Sequence, residues 1–495
     1  MRATAFARVV AALLAALLLL TLSGCLLGPN YTRPRMEVPA TFRFSIQETT
    51  DTANTAWWEQ FEDPVLNDLI TAALADNLDV KIAAARVEEF RGQFVTTRSG
   101  LFPQIGANFD ASRQRASQDG SVPIPAGVGA VYNQFDASVS AAWEIDLFGK
   151  TRRETEAARA NLLASEEGRR GTILALVGSV ASSYINLRSL DRQLDIARTT
   201  AESRADAVKV FTLRFRFGEV SQMELAQSQS EYQAALATIP QLETQIAVQE
   251  DALAVLLGRN PEPILRGHEL DALAAPTIPA GLPSDLLERR PDVLQAEQNL
   301  IAQNALIGAA RALYFPSISL TALFGSLSTE FSNLFTGPAR VWSFAGAVSL
   351  PIFTAGNIEG QVHQAEARQQ EALFAYQKSI QTAFQEVADA LITLQKSREQ
   401  LGVLYDQVAA LSTYAHLARL RYEGGYTSYI EVLDAERSLF NAQLSYAQTQ
   451  GAELTSFVSL YKAMGGGWVV KAEQMTQPPA SQPVAVVPPA AEAPQ

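Results

Sequence analysis

The stretch RFRFGEVSQMELAQSQ, residues 214–229, returns later in the chain as RYEGGYTSYIEVLDAE, residues 421–436. The two stretches align at a constant offset of 207 residues (421 − 214). In each, a glycine that can end a helix precedes S-x-x-E, the capping box that starts the next helix, formed by Ser221 with Glu224 and by Ser428 with Glu431. Each stretch therefore predicts the tip of a helical hairpin, present twice in one chain.

The duplication extends beyond the tips. LFPQIGANFDAS from Leu101 matches YFPSISLTALFG from Tyr314, and NLDVKIAAARVE from Asn77 matches RPDVLQAEQNLI from Arg290. We therefore predict six segments along the chain. The first two are a signal peptide (1–24) and an extended segment (25–62), for which the resemblance of LSGC at 22–25 to the bacterial lipobox implies a lipoprotein signal and a lipid anchor. The others are a first repeat (63–260), a linker (261–282), a second repeat (283–468) and a disordered Pro/Ala-rich tail (469–495).

Both repeats contain a long run without proline, from Ala126 to Ile239 and from Ile352 to Gln477, which favours long helices. In the second run, apolar residues recur at spacings of four and three, with one break at Arg398. The positions are Ile380, Phe384, Val387, Leu391, Leu394, Leu401, Tyr405 and Val408. This heptad pattern predicts helices that pack as coiled coils. A helix of about 60 residues is about 90 Å long, so an elongated bundle or tube is expected.

Before each long helix, apolar and polar residues alternate in two segments, which predicts four β-strands. The apolar positions are Ile105, Ala107, Phe109 and Ala111; Phe135, Ala137, Val139, Ala141, Trp143, Ile145 and Leu147; Ile318, Leu320, Ala322 and Phe324; and Trp342, Phe344, Val348, Leu350 and Ile352. The strands have about the length needed to cross a bilayer, although a soluble sheet with four surface strands has the same alternation. Four strands cannot close a barrel, so in a membrane the chain must oligomerise. Three copies give twelve strands and a lumen, whereas two give eight and an interior filled by side chains.

Composition excludes several classes of protein. The net charge is −13 (39 − 52) with no basic block, so nucleic acid is not an expected partner. The three histidines lie far apart, and no Cys/His spacing resembles a metal site. No glycine-rich phosphate loop and no G-x-S-x-G motif occurs, so the chain is predicted not to be an enzyme and to need no cofactor beyond a covalent lipid.

The only cysteine, Cys25, ends an export signal that begins with Arg2 and Arg8 and continues with an apolar run too short to span a bilayer. The sequence LSGC at 22–25 resembles the bacterial lipobox, in which the cysteine carries lipid such as palmitate. An ordinary signal with a chance cysteine is the alternative. Leu26 stands where an Asp is associated with retention in the inner membrane, so the outer membrane is favoured.

Five further segments are similar to one known family: GPNYTRP (28–34), WWEQFEDPVLNDLI (57–70), WEIDLFGKTRRE (143–154), ERRPDVLQAEQNL (288–300) and IGAARALYFPSISL (307–320). Together with the second tip, they resemble the NodT-type lipoproteins of the TolC-like outer-membrane factor family, which serve RND efflux pumps. The resemblance implies an α+β membrane protein: a homotrimer with a twelve-stranded barrel in the outer membrane of a Gram-negative bacterium and a tunnel of long helices in the periplasm. It further implies a periplasmic adaptor and an inner-membrane RND transporter as partners.

The resemblance also assigns two sites. The periplasmic gate is expected at residues of the second repeat: Tyr422, Ile430, Glu431, Asp434 and Arg437. Surfaces facing the adaptor are expected at the tips: Phe217, Gly218, Glu219, Val220, Gly424, Gly425, Tyr426 and Thr427. Simpler interpretations exist, since any hairpin needs turns, Glu431 is accounted for by a capping box, and Asp434 with Arg437 matches a surface pair on one helix.

The expected function is a passive exit duct for small molecules in a tripartite efflux system, gated at the helical tip. Two other functions are compatible with the pattern: an exit duct for type I protein secretion, and a helical periplasmic scaffold held only by its lipid.

Overall fold

A computed structural model describes residues 26–44, 56–117, 129–278, 283–465 and 469. Cys25, the signal peptide and nearly all of the tail lie outside these residues. The chain divides into two compact units, each of which takes segments from both repeats. The first unit comprises Met1–Arg35, Arg86–Ser165 and Gln295–Gln377; the second comprises Met36–Ala85, Glu166–Leu294 and Lys378–Gln495. The six predicted segment boundaries stay a prediction.

Seven α-helices of 13 or more residues account for most of the described residues. They are α1 (Pro64–Asp76), α2 (Leu78–Ser99), α3 (Lys150–Arg216), α4 (Gln222–Leu256), α5 (Pro291–Ala312), α6 (Asn357–Glu423) and α7 (Tyr429–Ala463). The repeats match in length, with 67 residues in both α3 and α6, 35 in both α4 and α7, and 22 in both α2 and α5. The prediction of long paired helices is confirmed.

The first unit contains one antiparallel sheet in the order β1-β2-β3-β4. Its strands are β1 (Gln104–Arg115), β2 (Val131–Ile145), β3 (Ser317–Ser328) and β4 (Arg340–Ser349). The prediction of four strands is confirmed, but Leu147, Leu350 and Ile352 lie beyond the strand ends. Pro351 has no N–H with which to continue the ladder after β4, and the Leu147 N–H turns back onto the Ile145 carbonyl at 2.9 Å.

From α2 and α5 onward, the two repeats differ in length in one region only. β1 and β3 start 213 residues apart (317 − 104), whereas α3 and α6 start 207 apart (357 − 150). The second repeat is therefore six residues shorter between its first strand and its long helix. In the second repeat the hairpin connection is four residues shorter (329–339 against 116–130) and the second strand is five residues shorter, while the segment from that strand to the long helix is three residues longer. The helices from α2 and α5 onward keep their length.

The second unit is built on buried faces of the long helices. In α6, Ile380, Val387 and Leu394 of the heptad pattern are at most 2% exposed. Further along the same helix Tyr405 is 63% exposed, so the seam is covered within one chain only over its first half. Near the C-terminal end of α7, Tyr461 stacks on Trp57 with ring centroids 5.2 Å apart.

A buried carboxylate ties the linker to this core. Asp63 is fully buried and caps α1, its Oδ1 accepting from the backbone N–H of Val65 at 2.9 Å. Its Oδ2 accepts from the Tyr184 hydroxyl at 2.8 Å and from the His268 backbone N–H at 3.0 Å. The Gly267 backbone N–H donates to the Tyr184 hydroxyl at 2.9 Å. The linker between the repeats is thus fixed by a network in which each buried polar group has a partner.

We predict that Gly267→Ala destabilises the protein by about 1–3 kcal/mol, the usual cost of forcing extra volume into a packed site. A Cβ at residue 267 would lie 2.1 Å from the Asp63 Oδ1 atom. The measurement is thermal unfolding in detergent followed by circular dichroism. Gly402→Ala is the matched control, because a Cβ at that position in α6 meets nothing within 4 Å and alanine favours helix. A G267A protein as stable as the G402A protein would contradict this role of the network.

Candidate functional site

One face of the sheet is apolar and uncovered. The register places the predicted apolar positions of all four strands on this side, for example Ile105 opposite Ala141 and Val139 opposite Phe324. Several of its large side chains are exposed within the chain: Ile105 75%, Phe324 63%, Trp342 68%, Phe344 76% and Val348 70%. We call this side of the sheet the apolar face. A continuous exposed surface of this kind is typical of contact with lipid or with another protein.

The opposite side, the polar face, carries mostly small and polar residues and all three acidic residues of the strands, Asp110, Asp136 and Glu144. Its larger apolar or aromatic side chains are Tyr132, Leu323, Leu327 and Val341. Asp110 and Asp136 stand directly opposite one another on β1 and β2. Like charges in this position destabilise a sheet unless water screens them. The polar face is therefore suited to water, and the sheet has one wet and one dry side.

Residues immediately after Cys25 are fixed at the end of the sheet from which the helices leave. The Leu27 N–H donates to the Phe148 carbonyl at 3.4 Å, just beyond β2. Arg153, whose side chain is 1% exposed, donates to the Leu27 carbonyl at 3.0 Å and to the Asn30 Oδ1 at 2.9 Å. A Cβ on Gly308 would lie 2.4 Å from the Leu27 carbonyl oxygen, so α5 also approaches closely. Cys25 itself, the predicted lipidation site, lies outside the described residues.

The two helical tips, both in the second unit, end in the same backbone motif. The Glu219 N–H donates to the Arg214 carbonyl and the Tyr426 N–H to the Arg421 carbonyl, each at 2.9 Å. Gly218 (φ +74°) and Gly425 (φ +76°) supply the left-handed residue that this motif requires. Of the predicted adaptor-facing residues, one aromatic side chain in each tip is almost fully exposed: Phe217 at 80% and Tyr426 at 81%.

The helices after the tips begin differently, which corrects one prediction. The capping box of Ser221 with Glu224 forms as expected. At α7 the Ser428 side chain makes no capping bond, so the second box was predicted wrongly. The Glu431 carboxylate instead accepts from the Thr427 hydroxyl and pairs with Arg421 at 2.8 Å. The residue at the position of Thr427 in the first copy is Val220, which has no hydroxyl to compete for the glutamate.

Three of the predicted gate residues share one exposed stripe of α7. Ile430 is 59% exposed, and the side chains of Asp434 and Arg437 are 52% and 56% exposed. The other side of α7 is buried through Tyr429, Val432 and other residues. Asp434 and Arg437 form an ion pair at 2.7 Å within the helix. The first copy has Met223 and Gln227 at the positions of Ile430 and Asp434, so only the second copy carries the charge.

Tyr422, the fifth predicted gate residue, lies in an aromatic cluster that joins the two tips. Its ring is 6.2 Å from Phe211 and 5.2 Å from Tyr429, centroid to centroid, and its hydroxyl accepts from Arg214 at 3.3 Å. Phe211 and Tyr429 were not among the residues predicted from the sequence. The alignment of the two repeats contains one signal for this cluster. At the offset of 207 residues, the large Phe211 of the first copy aligns with the small Ala418 of the second, and both residues lie in the cluster.

Comparison with known proteins gives consistent matches along the chain. The sequence profile of the family described as "Outer membrane efflux protein" matches residues 69–259 and 282–466. The probable efflux pump outer membrane protein TtgC of Pseudomonas putida is 37% identical over 464 residues, covering 92% of this chain and 95% of that protein. The cation efflux system protein CusC of Escherichia coli is 36% identical over 454 residues, covering 91% and 97%.

Solved structures give the same result. The crystal structure of the open state of the MtrE outer membrane channel of Neisseria gonorrhoeae superposes with a TM-score of 0.80 and 32% sequence identity. The match covers 90% of this chain and 99% of that one. The fold with one four-stranded sheet and long paired helices is therefore shared with a known outer membrane channel.

The aromatic cluster predicts alkaline instability. Burial, with a smaller contribution from the negative charge of Glu436, raises the pKa of Tyr429 to about 12 from an ordinary value of 10.0. Between those pH values the unfolded chain loses this proton while the folded protein keeps it, so stability falls as the pH rises from 10 to 12. We expect Tyr429→Phe to show a shallower fall in unfolding temperature over this window than the wild type. Tyr426→Phe, at the exposed tip residue, should follow the wild type; parallel curves for all three proteins would contradict the prediction.

Proposed function

The chain belongs to the outer membrane efflux protein family, and from that membership we propose that three copies form a gated exit duct for small molecules. It is the outer membrane component of an efflux system. Four features perform that role in the proposed duct: the closed sheet, the anchored chain start, the gate at the tips and the partners that the tips meet.

The exposed apolar face of the sheet carries the proposal. A surface of this kind belongs in lipid, and lipid provides no partner for the free backbone edges of β1 and β4. Pairing β4 of one copy with β1 of the next removes both edges. Three copies supply twelve strands, and the acidic polar face then lines a lumen wide enough for water. The same closure repeats every residue of the helical tips with threefold symmetry.

The contacts of the chain start indicate which end of the strands faces the periplasm. Leu27 is held beside Phe148, at the end of the sheet where β2 leads into α3. A lipid on Cys25, two residues earlier, then enters the membrane at the helical, periplasmic end of the strands. The hairpin connections face the other side. Lipid and strands therefore hold the protein in the same membrane, and the lipid adds to the attachment that the strands provide.

The gate is proposed at the exposed stripe of α7. Threefold symmetry turns Asp434 into a ring of carboxylates and Ile430 into an apolar collar, and such rings favour cations while apolar collars exclude water. Arg437 can pair with Asp434 of its own helix, as described above, or with that of a neighbouring copy. Glu431 contributes indirectly, because its bonds to Thr427 and Arg421 fix the turn from which α7 starts.

The tips are proposed to meet a periplasmic adaptor, which connects the duct to an inner-membrane RND transporter. Phe217 and Tyr426 offer exposed aromatic side chains at both turns, the residue type that is enriched at protein interfaces. Of the relatives reported above, CusC is named for cation efflux, and TtgC is named only as an efflux pump protein. A wide duct need not bind what passes through it, so we propose that the transporter selects the cargo.

Single-channel recording in planar bilayers tests the gate. The wild type is expected to show a closed state of low conductance, and Asp434→Ala to raise the open probability about tenfold. The expected change comes from three pairs between Arg437 and Asp434 of neighbouring copies in the closed state, which at about 0.3–0.5 kcal/mol each amount to about 1–1.5 kcal/mol, close to a factor of ten. The pair within each helix is the same in the open and closed states and does not contribute. Gln227→Ala, at the same position of the first copy, is the matched control and should leave the open probability unchanged.

The outcomes separate the parts of the proposal. A channel that responds equally to both substitutions removes the gate but keeps the duct. Protein that forms no channel, or that light scattering shows to be a monomer or dimer in detergent, contradicts the trimeric duct itself.

Labelling with radioactive palmitate tests the anchor. We expect the wild type to be labelled and Cys25→Ser to lose the label, because Cys25 is the only thiol of the chain. Outer-membrane fractions of both strains should still contain the protein after carbonate washing, since the strands remain. A C25S protein that keeps the label, or that carbonate releases, would contradict the proposed division of roles between lipid and strands.

A further inference from the structure

Charged residues in the four strands are separated by sign between the two faces of the sheet. The strands contain six charged residues, of which the three acidic ones lie on the polar face. The three basic residues, Arg113, Arg115 and Arg340, lie on the apolar face, as the register shows: Arg113 pairs with Asn133, Arg115 with Val131 and Arg340 with Ser326. A water-filled lumen alone gives no reason for all three arginines of the strands to lie on the apolar face.

All three arginines lie at the same end of the sheet, the end of the hairpin connections. Arg113 and Arg115 are in the last three residues of β1, and Arg340 is the first residue of β4. The apolar face continues below them with residues such as Phe109 and Trp342. We call these three residues the arginine rim. It borders the apolar face on the side away from the helices and away from Cys25.

The arginine rim has no anionic partner among the described residues. All three side chains are exposed, and no ion pair or side-chain hydrogen bond involves them in the part of the chain that the structure describes. Glu330, in the described connection between β3 and β4, accepts a bond from Asn333 at 2.9 Å. An arginine on the lipid side costs about 2–4 kcal/mol at the middle of a bilayer but only about 0–1 kcal/mol near the interface. The three arginines are therefore expected at the level of the lipid headgroups.

We propose that the arginine rim binds the phosphate groups of anionic, phosphorylated lipids in the outer leaflet of the outer membrane. This inference rests on the proposed closed trimer, in which Arg340 of one copy comes beside Arg113 and Arg115 of the next and the rim becomes a ring of nine. The guanidinium group matches phosphate with two parallel hydrogen bonds, and the apolar face below accommodates the acyl chains. Charge complementarity and continuity with the lipid-facing surface identify the occupant as a lipid.

Binding measurements on the purified trimer in neutral detergent test this. The probes are lipid A with both phosphates and the same lipid after enzymatic removal of both. The wild type should bind the phosphorylated lipid at least about tenfold more tightly than the dephosphorylated one. The triple substitution R113Q/R115Q/R340Q should abolish this preference without changing the affinity for the dephosphorylated lipid. Excess inorganic phosphate should not displace the lipid, because the acyl chains hold it on the apolar face.

The matched control is the triple substitution D110N/D136N/E144Q on the polar face, which should keep the wild-type lipid preference. If R113Q/R115Q/R340Q does not assemble, R340K is the variant to measure. Lysine keeps the positive charge but cannot form the two parallel hydrogen bonds of a guanidinium group, so R340K should weaken binding of the phosphorylated lipid. Equal affinity of the wild type for both lipids, or an unchanged preference in the rim variant, overturns the inference. Displacement by inorganic phosphate shows a free-phosphate site and overturns it as well. A wild-type protein that is not a trimer contradicts the proposed function, on which this inference rests.

Discussion

Inside a bilayer no water is available to bond the backbone N–H and C=O groups along the outer edges of β1 and β4, and each unpaired group costs several kcal/mol. The described sheet has four strands in sequential order, so both edges are open within one chain. This requirement accounts for the exposed apolar side chains, for the need for further copies and for the threefold repetition of the helical tips. A soluble chain with the same helices would carry none of these constraints.

The two sequence repeats provide helices of the same length, but they do not carry the same functional side chains. The helices of the repeats are equal in length, so each copy can serve as the same structural strut. Where the copies differ, the differences are in chemistry: Thr427 replaces Val220 and redirects Glu431, while Asp434 replaces Gln227 on an exposed stripe. The buried network of Asp63, Tyr184 and Gly267 holds the connection between the copies against the common core.

Local sequence patterns predicted most of the fold and a smaller part of the site. Period-two alternation located all four strands, because the sheet has one apolar and one polar side, and proline-free runs located the long helices. The ends of the strands were less predictable, since Leu350 continues the alternation although Pro351 stops the ladder. The capping box at Ser428 failed because its glutamate has a choice of donors, and Arg421 and Thr427 are close to it only after the turn has formed. The tip cluster around Phe211 depends on packing between helices that are distant in sequence.

The confinement of the length difference to the hairpin region has a practical meaning for protein engineering. Adding one residue to any of the long helices turns everything beyond it by about 100° and carries buried side chains out of the core. The connections at the far end of the sheet already differ by four residues between the copies (116–130 against 329–339), while the long helices are equal in length. In the proposed orientation, they are suitable positions for grafting peptide epitopes or affinity tags that are to be displayed on a cell surface.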